Sequence, residues 1–238
     1  LPGQTDFNVI FSMAQLGNGD ILVSSQKGLF RINNKEEISE VQDIPFWNNV
    51  SYTALLTNEN NQLYYGTQTE GVKLFDFDSK KRLASFKRDN GLTNAPIQAL
   101  YKDKEGNLWI GTEDAGLNKL EPSGKILHFK ATDQSGSLSY NNIHGLLAVG
   151  NELWVGTYEH GLDVLNISSG KVIRHYKAGP GRELKSNFIV TLYKTHAGDV
   201  LAGTWNGLFR YNRSADDFDS IPFFNSHIQS IHEDHSGT

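Results

Sequence analysis

One six-residue core recurs almost intact along this chain and sets its architecture. It reads Asn107-Leu-Trp-Ile-Gly-Thr112, followed three residues later by Gly116-Leu-Asn-Lys-Leu120, and again Glu152-Leu-Trp-Val-Gly-Thr157 with Gly161-Leu-Asp-Val-Leu165. Three looser copies keep the plan: Asp20-Ile-Leu-Val-Ser-Ser25 with Gly28-Leu-Phe-Arg-Ile32, Gln62-Leu-Tyr-Tyr-Gly-Thr67 with Gly71-Val-Lys-Leu-Phe75, and Asp199-Val-Leu-Ala-Gly-Thr204 with Gly207-Leu-Phe-Arg-Tyr211. The aligned Gly or Ser positions are 24, 66, 111, 156 and 203, giving steps of 42, 45, 45 and 47 residues. Self-similarity at that period means an array in which one supersecondary unit stacks on the next.

Within each unit the apolar runs are short, rich in β-branched and aromatic residues, and bounded by Gly, Asn and Asp, which spells strands. Four are expected per unit, in the third at 97–102, 107–112, 117–121 and 126–130. The first two are joined by Asp103-Lys-Glu-Gly106, where Gly supplies the positive φ of a tight hairpin. The same turn is expected at 16–19, 58–61 and 196–199. Strands two and three carry apolar residues on both faces, as a sheet covered on both sides requires. Four-stranded sheets each covered by the next make an all-β, β-propeller fold with four-stranded antiparallel blades. The repeats run over about 7–46, 50–88, 96–131, 142–178 and 188–222. A sixth starts at 227–238, where the segment from His227 aligns with Pro96 to Asn107, so five blades plus one strand are expected, a fragment of a longer array. A partial array leaves edges unpaired, so self-association of the piece is expected.

Composition narrows the classes. The stretch Phe188 to Tyr193, six residues and apolar but for Thr191, is far from the roughly 18 that a membrane span needs. The chain has no cysteine, which removes disulfides, thiolate metal sites and Cys nucleophiles. With 27 acidic against 22 basic residues the net charge is -5, the wrong sign for binding phosphate backbones, so no nucleic acid partner is expected. Leu1 opens neither an initiator Met nor a signal segment, which reads as a mature or excised piece.

These motifs resemble the two-component regulator propeller repeat. Its lead-in stands here as Gly91-Leu-Thr-Asn94, as Asn141-Asn142 and as Leu184-Lys-Ser-Asn187, and its strand and turn as 97–106 and 228–237. Departures are Ser24-Ser25 for Gly-Thr, Ala95 for the second lead-in Asn, and a degenerate lead-in at Trp47-Asn-Asn49. The resemblance implies the periplasmic sensor of a hybrid two-component histidine kinase of Gram-negative bacteria, with seven-bladed propellers, a homodimeric parent anchored in the inner membrane, and carbohydrate fragments as ligands. It implies no cofactor and no metal, and places the kinase outside this chain.

Several local patterns reduce to architecture. Trp109 and Trp154 occupy matching strand positions and are expected between blades. The recurrent Gly-Thr is expected to let neighbouring sheets approach while the Thr hydroxyl bonds to backbone. Ser24-Ser-Gln-Lys27 has the spacing of a serine nucleophile motif but sits at a strand exit without companion motifs. His232-Glu-Asp-His235 has its His pair at i and i+3 in a hairpin, not i and i+4 on a zinc-binding helix. Asp76-Phe-Asp78 and Asp216-Asp-Phe-Asp219 lack the Gly and distal Glu of a calcium loop and are expected to solvate blade edges. Asn166-Ile-Ser168 and Asn212-Arg-Ser214 match glycosylation acceptors, of little meaning in a bacterial protein.

What the repeat leaves free are the loops of one face: those from strand two to three and those between blades. They hold aromatic planes beside polar groups, the combination a sugar asks for. The expected ligand site comprises Glu113, Asp114, Tyr158, His160, Arg182, Asn187, Trp205 and Asn206, with no catalytic residue. Tyr158, His160 and Trp205 would stack or bond, and Glu113, Asp114, Arg182 and Asn187 would orient polar groups. Two alternatives stay open. A carbohydrate-active hydrolase or lyase would need two converging carboxylates from Glu113, Asp114, Glu159 and Glu183, and a scaffold binding only protein would need a flat loop face.

Overall fold

A computed structural model describes residues 9–42, 52–58, 60–93 and 96–233. The chain is an all-β propeller of five four-stranded antiparallel blades, each a meander in sequence order. The blades are β1(Ile10–Gln15), β2(Ile21–Ser25), β3(Gly28–Ile32), β4(Ile38–Glu40); β5(Tyr52–Thr57), β6(Gln62–Thr67), β7(Val72–Asp76), β8(Lys81–Phe86); β9(Ile97–Lys102), β10(Leu108–Thr112), β11(Leu117–Leu120), β12(Ile126–Phe129); β13(Ile143–Val149), β14(Glu152–Thr157), β15(Leu162–Asn166), β16(Lys171–Tyr176); and β17(Ile189–Lys194), β18(Val200–Thr204), β19(Gly207–Asn212), β20(Asp217–Ser220). The third blade matches the expected strands to within one residue at each end. The chain divides into two compact units, Leu1–Ile110 and Gly111–Thr238, the division falling within β10.

The second strand of each blade is the most buried. All five residues of β10 and the last five of β14 are buried, whereas β4 is exposed throughout, so apolar residues on both faces of strand two mean cover on both faces. In the first unit Leu22, Leu29, Leu63 and Phe75 pack with Leu16, Leu55 and Tyr65 into one cluster. In the second, Trp154, 2% exposed, meets Tyr211 edge-on at 4.8 Å, Phe218 at 6.3 Å and Tyr176 in a stack at 6.0 Å. Pairs of this kind add about 0.5–1.5 kcal/mol each beyond area burial.

The Gly-Thr signature does two jobs, as its position predicts. A Cβ on Gly66, Gly111, Gly156 or Gly203 would stand 2.6, 2.8, 2.7 and 2.8 Å from Cγ2 of Ile97, Ile143, Ile189 and Ile228 of the next repeat, so only glycine permits that approach. The threonine closes the turn: Thr112, Thr157 and Thr204 donate Oγ1 to the carbonyls of Gly116, Gly161 and Gly207 at 2.7, 2.8 and 2.9 Å. In the first blade Ser25 substitutes at 3.4 Å, while Ser24 donates its hydroxyl to Ser12 O at 3.1 Å, so both serines of the Ser-x-x-Lys stretch bond to backbone.

Some expectations move. The first strand begins at Ile10, and Phe7 lies outside the described residues, as do Trp47, Asn48, Asn49, Asn94, Ala95 and His235. The last hairpin turn is 195–198, one residue earlier than expected, because Gly198 at φ 92° donates its N–H to Thr195 O at 2.9 Å. Where a sixth repeat is expected to start, Ile228 packs on Gly203 and donates its N–H to Thr204 O at 2.9 Å, yet residues 227–233 form no strand among the described residues. The acidic clusters bond rather than merely solvate: Asp76 caps Ser79, and Asp216 accepts the hydroxyls of Tyr176 and Tyr211 at 2.5 and 2.7 Å. Asn166 and Asn212 likewise cap their own turns, taking the N–H of Ser169 and Ser214. No group of metal-binding side chains occurs among the described residues, and none of their helices is long and apolar enough to cross a membrane.

Candidate functional site

The turn lock sets the geometry of the loop face. In the fourth and fifth blades the threonine hydroxyl holds the turn, and the next residue, Tyr158 or Trp205, extends the ladder by donating its N–H to the residue before the blade's own first strand. Those bonds run from Tyr158 to Asn142 O at 3.0 Å and from Trp205 to Phe188 O at 3.1 Å. The ring then leans on the residue before the isoleucine that packs on the same turn: Tyr158 meets Phe188 edge-on at 4.4 Å, and Trp205 stacks on His227 at 4.5 Å with 26° between planes. Because the motif repeats, the contacts join into a row. His144 lies 5.5 Å from Tyr158, and Phe188 lies 6.0 Å from Trp205, so five aromatic rings follow one another. Tyr158 is 38% and Trp205 58% exposed, a large apolar surface to leave in water.

Polar capacity sits beside the row. His160 stacks on Tyr140 at 4.2 Å and 12°, while its Nδ1 is buried without a hydrogen-bond partner, as is Oδ1 of Asn142. Glu159 holds φ at 69°, a left-handed backbone that a non-glycine residue adopts at a cost. Burial pushes the His144 imidazole below its ordinary value, which keeps that ring uncharged in its stack at neutral pH. Aromatic faces with unmet donors and acceptors suit a ligand that has both apolar faces and hydroxyls.

The expected site residues separate into groups. Tyr158, His160 and Trp205 come together on or beside the row, with Asn206 in the same turn as Trp205, its N–H on Thr204 Oγ1 at 3.1 Å. Glu113, half-buried, and Asp114, exposed, occupy the matching turn of the third blade. Asn187 is a clamp: its Oδ1 takes the N–H of Ala178 at 2.7 Å and its carbonyl that of Gly161 at 2.9 Å. Asn141 does the same one repeat earlier, with Ala131 and Gly116 both at 2.8 Å, so the lead-in Asn is architecture. Arg182 leaves the loop face, because its guanidinium pairs with Asp217 at 2.8 Å. Asp217 is opposite Asn212 at the far end of β19 from Gly207, roughly 17 Å of strand away.

His144, Phe188 and His227 were not singled out from the sequence. Phe188 and His227 do carry a signal, since each precedes the isoleucine, Ile189 or Ile228, that packs on the previous Gly-Thr turn, whereas His144 follows Ile143 and meets Tyr158 of its own blade.

Residues 91–114 match the family described as two component regulator propeller. Among solved structures, the chain is similar to the extracellular domain assigned to the hybrid two-component system BT3049 of B. thetaiotaomicron, with a TM-score of 0.78, 18% identity, and 97% of this chain and 32% of that one covered. The extracellular domain assigned to BT4673 of the same organism gives 0.77 at 23% identity, covering 100% and 32%. Virginiamycin B lyase of Staphylococcus aureus gives 0.65 at 13% identity, covering 92% and 72%. No curated protein matches the chain. The chain thus spans about a third of the length of the two extracellular domains, and at these identities the likeness is one of fold. What the comparisons establish is a two-component regulator propeller repeat at residues 91–114, set in the propeller fold of those domains.

Proposed function

We propose that this chain is a ligand-sensing part of the periplasmic domain of a hybrid two-component system, that it binds without catalysing, and that its ligand is a carbohydrate fragment held on the loop face. The observation that carries the reading is the row from His144 through Tyr158, Phe188 and Trp205 to His227, flanked by the unpartnered His160 Nδ1 and Asn142 Oδ1. A pyranose offers C–H faces to the exposed Tyr158 and Trp205 rings and hydroxyls to the polar residues beside them, and a row rather than a single ring suits more than one sugar unit. The fold-level likeness to extracellular domains supports the extracytoplasmic setting, and a homodimeric parent would carry the signal onward. Calorimetry with glycan fragments tests the assignment residue by residue. Trp205→Ala and Tyr158→Ala are expected to weaken sugar binding about tenfold each, while Arg182→Ala, tied to Asp217, leaves it unchanged. Equal affinity in all three variants would sink the loop-face reading.

A further inference from the structure

At the opposite end of the strands, the third and fourth blades differ in one side chain whose consequence is chemical. In the third blade Asp103 closes the first hairpin. Its Oδ2 accepts Nε1–H of Trp109 at 2.8 Å, and its carboxylate also takes the N–H and Nδ2 of Asn107. In the fourth blade Val149 stands there, paired with Glu152 as Asp103 is with Asn107, and valine has no acceptor to offer. The Nε1–H of Trp154 is therefore buried without a partner.

A second unmet donor lies beside it. Arg174 gives Nη2 to Glu152 at 2.7 Å, but its Nε is buried with no hydrogen bond, 4.0 Å from Asp216 Oδ1. Trp154 and Arg174 both wall one hollow of about 360 Å³, together with Val149, Glu152, Val200, Tyr211 and Arg213, and their two unpartnered nitrogens lie just beneath its surface. Its lining carries Arg174 and Arg213 against Glu152, with the Asp216 carboxylate 4.0 Å behind Arg174 Nε. Buried donors at such a position call for an acceptor, and the third blade shows which acceptor the Trp indole takes when the chain supplies one.

We propose that this hollow binds a small carboxylate, one oxygen of which accepts from Trp154 Nε1 as Asp103 Oδ2 does from Trp109, the carboxylate also taking Arg174 Nε. The site is separate from the loop face, being formed by the hairpin ends of β13–β14 and β17–β18 and by the start of the β19–β20 turn.

The test is a ¹H–¹⁵N spectrum of the 238-residue chain in carboxylate-free buffer, following the Trp154 indole peak, identified by its loss in Trp154→Phe. Titration with acetate and with glucuronate is expected to move that peak saturably, and glucose to leave it in place. Val149→Asp, which supplies the carboxylate from the chain itself, abolishes the response, with folding checked by dispersion of the same spectrum. Arg174→Lys keeps the charge but loses the Nε donor, and weakens binding about tenfold. Trp205→Ala leaves the response intact. A Trp154 peak that ignores both anions, or that moves equally with glucose, overturns the proposal, as does an undiminished response in Val149→Asp.

Discussion

A methyl group added at Gly156 tests the blade-to-blade spacing directly. Its Cβ would stand 2.7 Å from Ile189 Cγ2, 3.0 Å from Ile189 Cβ and 3.1 Å from Ile189 O. Ordinary carbon contacts are about 3.5–4.0 Å, so the two sheets must part by nearly 1 Å, and neither Cβ nor a backbone carbonyl can rotate away. Overpacking of that kind costs about 1–3 kcal/mol. Gly179 is the control, since a Cβ there meets nothing within 4 Å. Gly179→Ala is expected to be neutral or to stabilise by about 0.4–1 kcal/mol through the unfolded chain. Urea unfolding of both variants, read at constant m, gives the difference. The source of the strain is checked by Ile189→Ala, which removes Cγ2 and keeps Cβ: Gly156→Ala should then cost less in that background, a coupling of about 0.5 kcal/mol or more. Equal effects at Gly156 and Gly179, or strict additivity with Ile189→Ala, would refute the reasoning.

Other outcomes follow from single groups. Because burial lowers the folded-state pKa of His144, the unfolded chain binds more protons below about pH 6.5, so this residue's stabilising contribution is complete above that value and is lost as pH falls toward the folded pKa. The urea midpoint should therefore drop between pH 7.5 and 5, and His144→Gln should lessen the drop. Hydroxyls donated by Tyr176 and Tyr211 hold the Asp216 carboxyl below the usual carboxylate range. Tyr176→Phe should raise that pKa toward about 3.9, read from the carboxyl carbon by NMR. Thr157→Val removes one buried hydroxyl bond to Gly161 O and should cost about 1 kcal/mol in the same urea assay.

How far the sequence reaches is clearest at particular residues. Gly66, Gly111, Gly156 and Gly203 announce the blades because a close approach between sheets recurs at one position per repeat, and a repeated constraint leaves a repeated residue. The turn at 195–198 was misplaced by one because Asp199 is as good a turn residue as Gly198, and only the positive φ decides between them. Arg182 and Asn187 read as ligand groups because polar loop residues do, but their partners, Asp217 and Ala178, are brought to them only by the folded connection. The aromatic row was half legible. Tyr158 and Trp205 stand in variable turns and draw notice, whereas His144 and Phe188 sit at strand entries and His227 just before Ile228, where a ring normally signals packing. The exchange of Asp103 for Val149 was hidden by a hairpin one residue shorter, which shifts the alignment at the position that matters.

On the proposed reading the loop face binds a carbohydrate and does not transform it. The most direct measurement is a calorimetric screen of glycan fragments against the chain, with the mixtures analysed afterwards by chromatography. Saturable heat for at least one fragment, lost in Trp205→Ala, with the fragment recovered unchanged, is the predicted result. New products that disappear in Glu113→Gln or Glu159→Gln, or silence across every fragment, would contradict it.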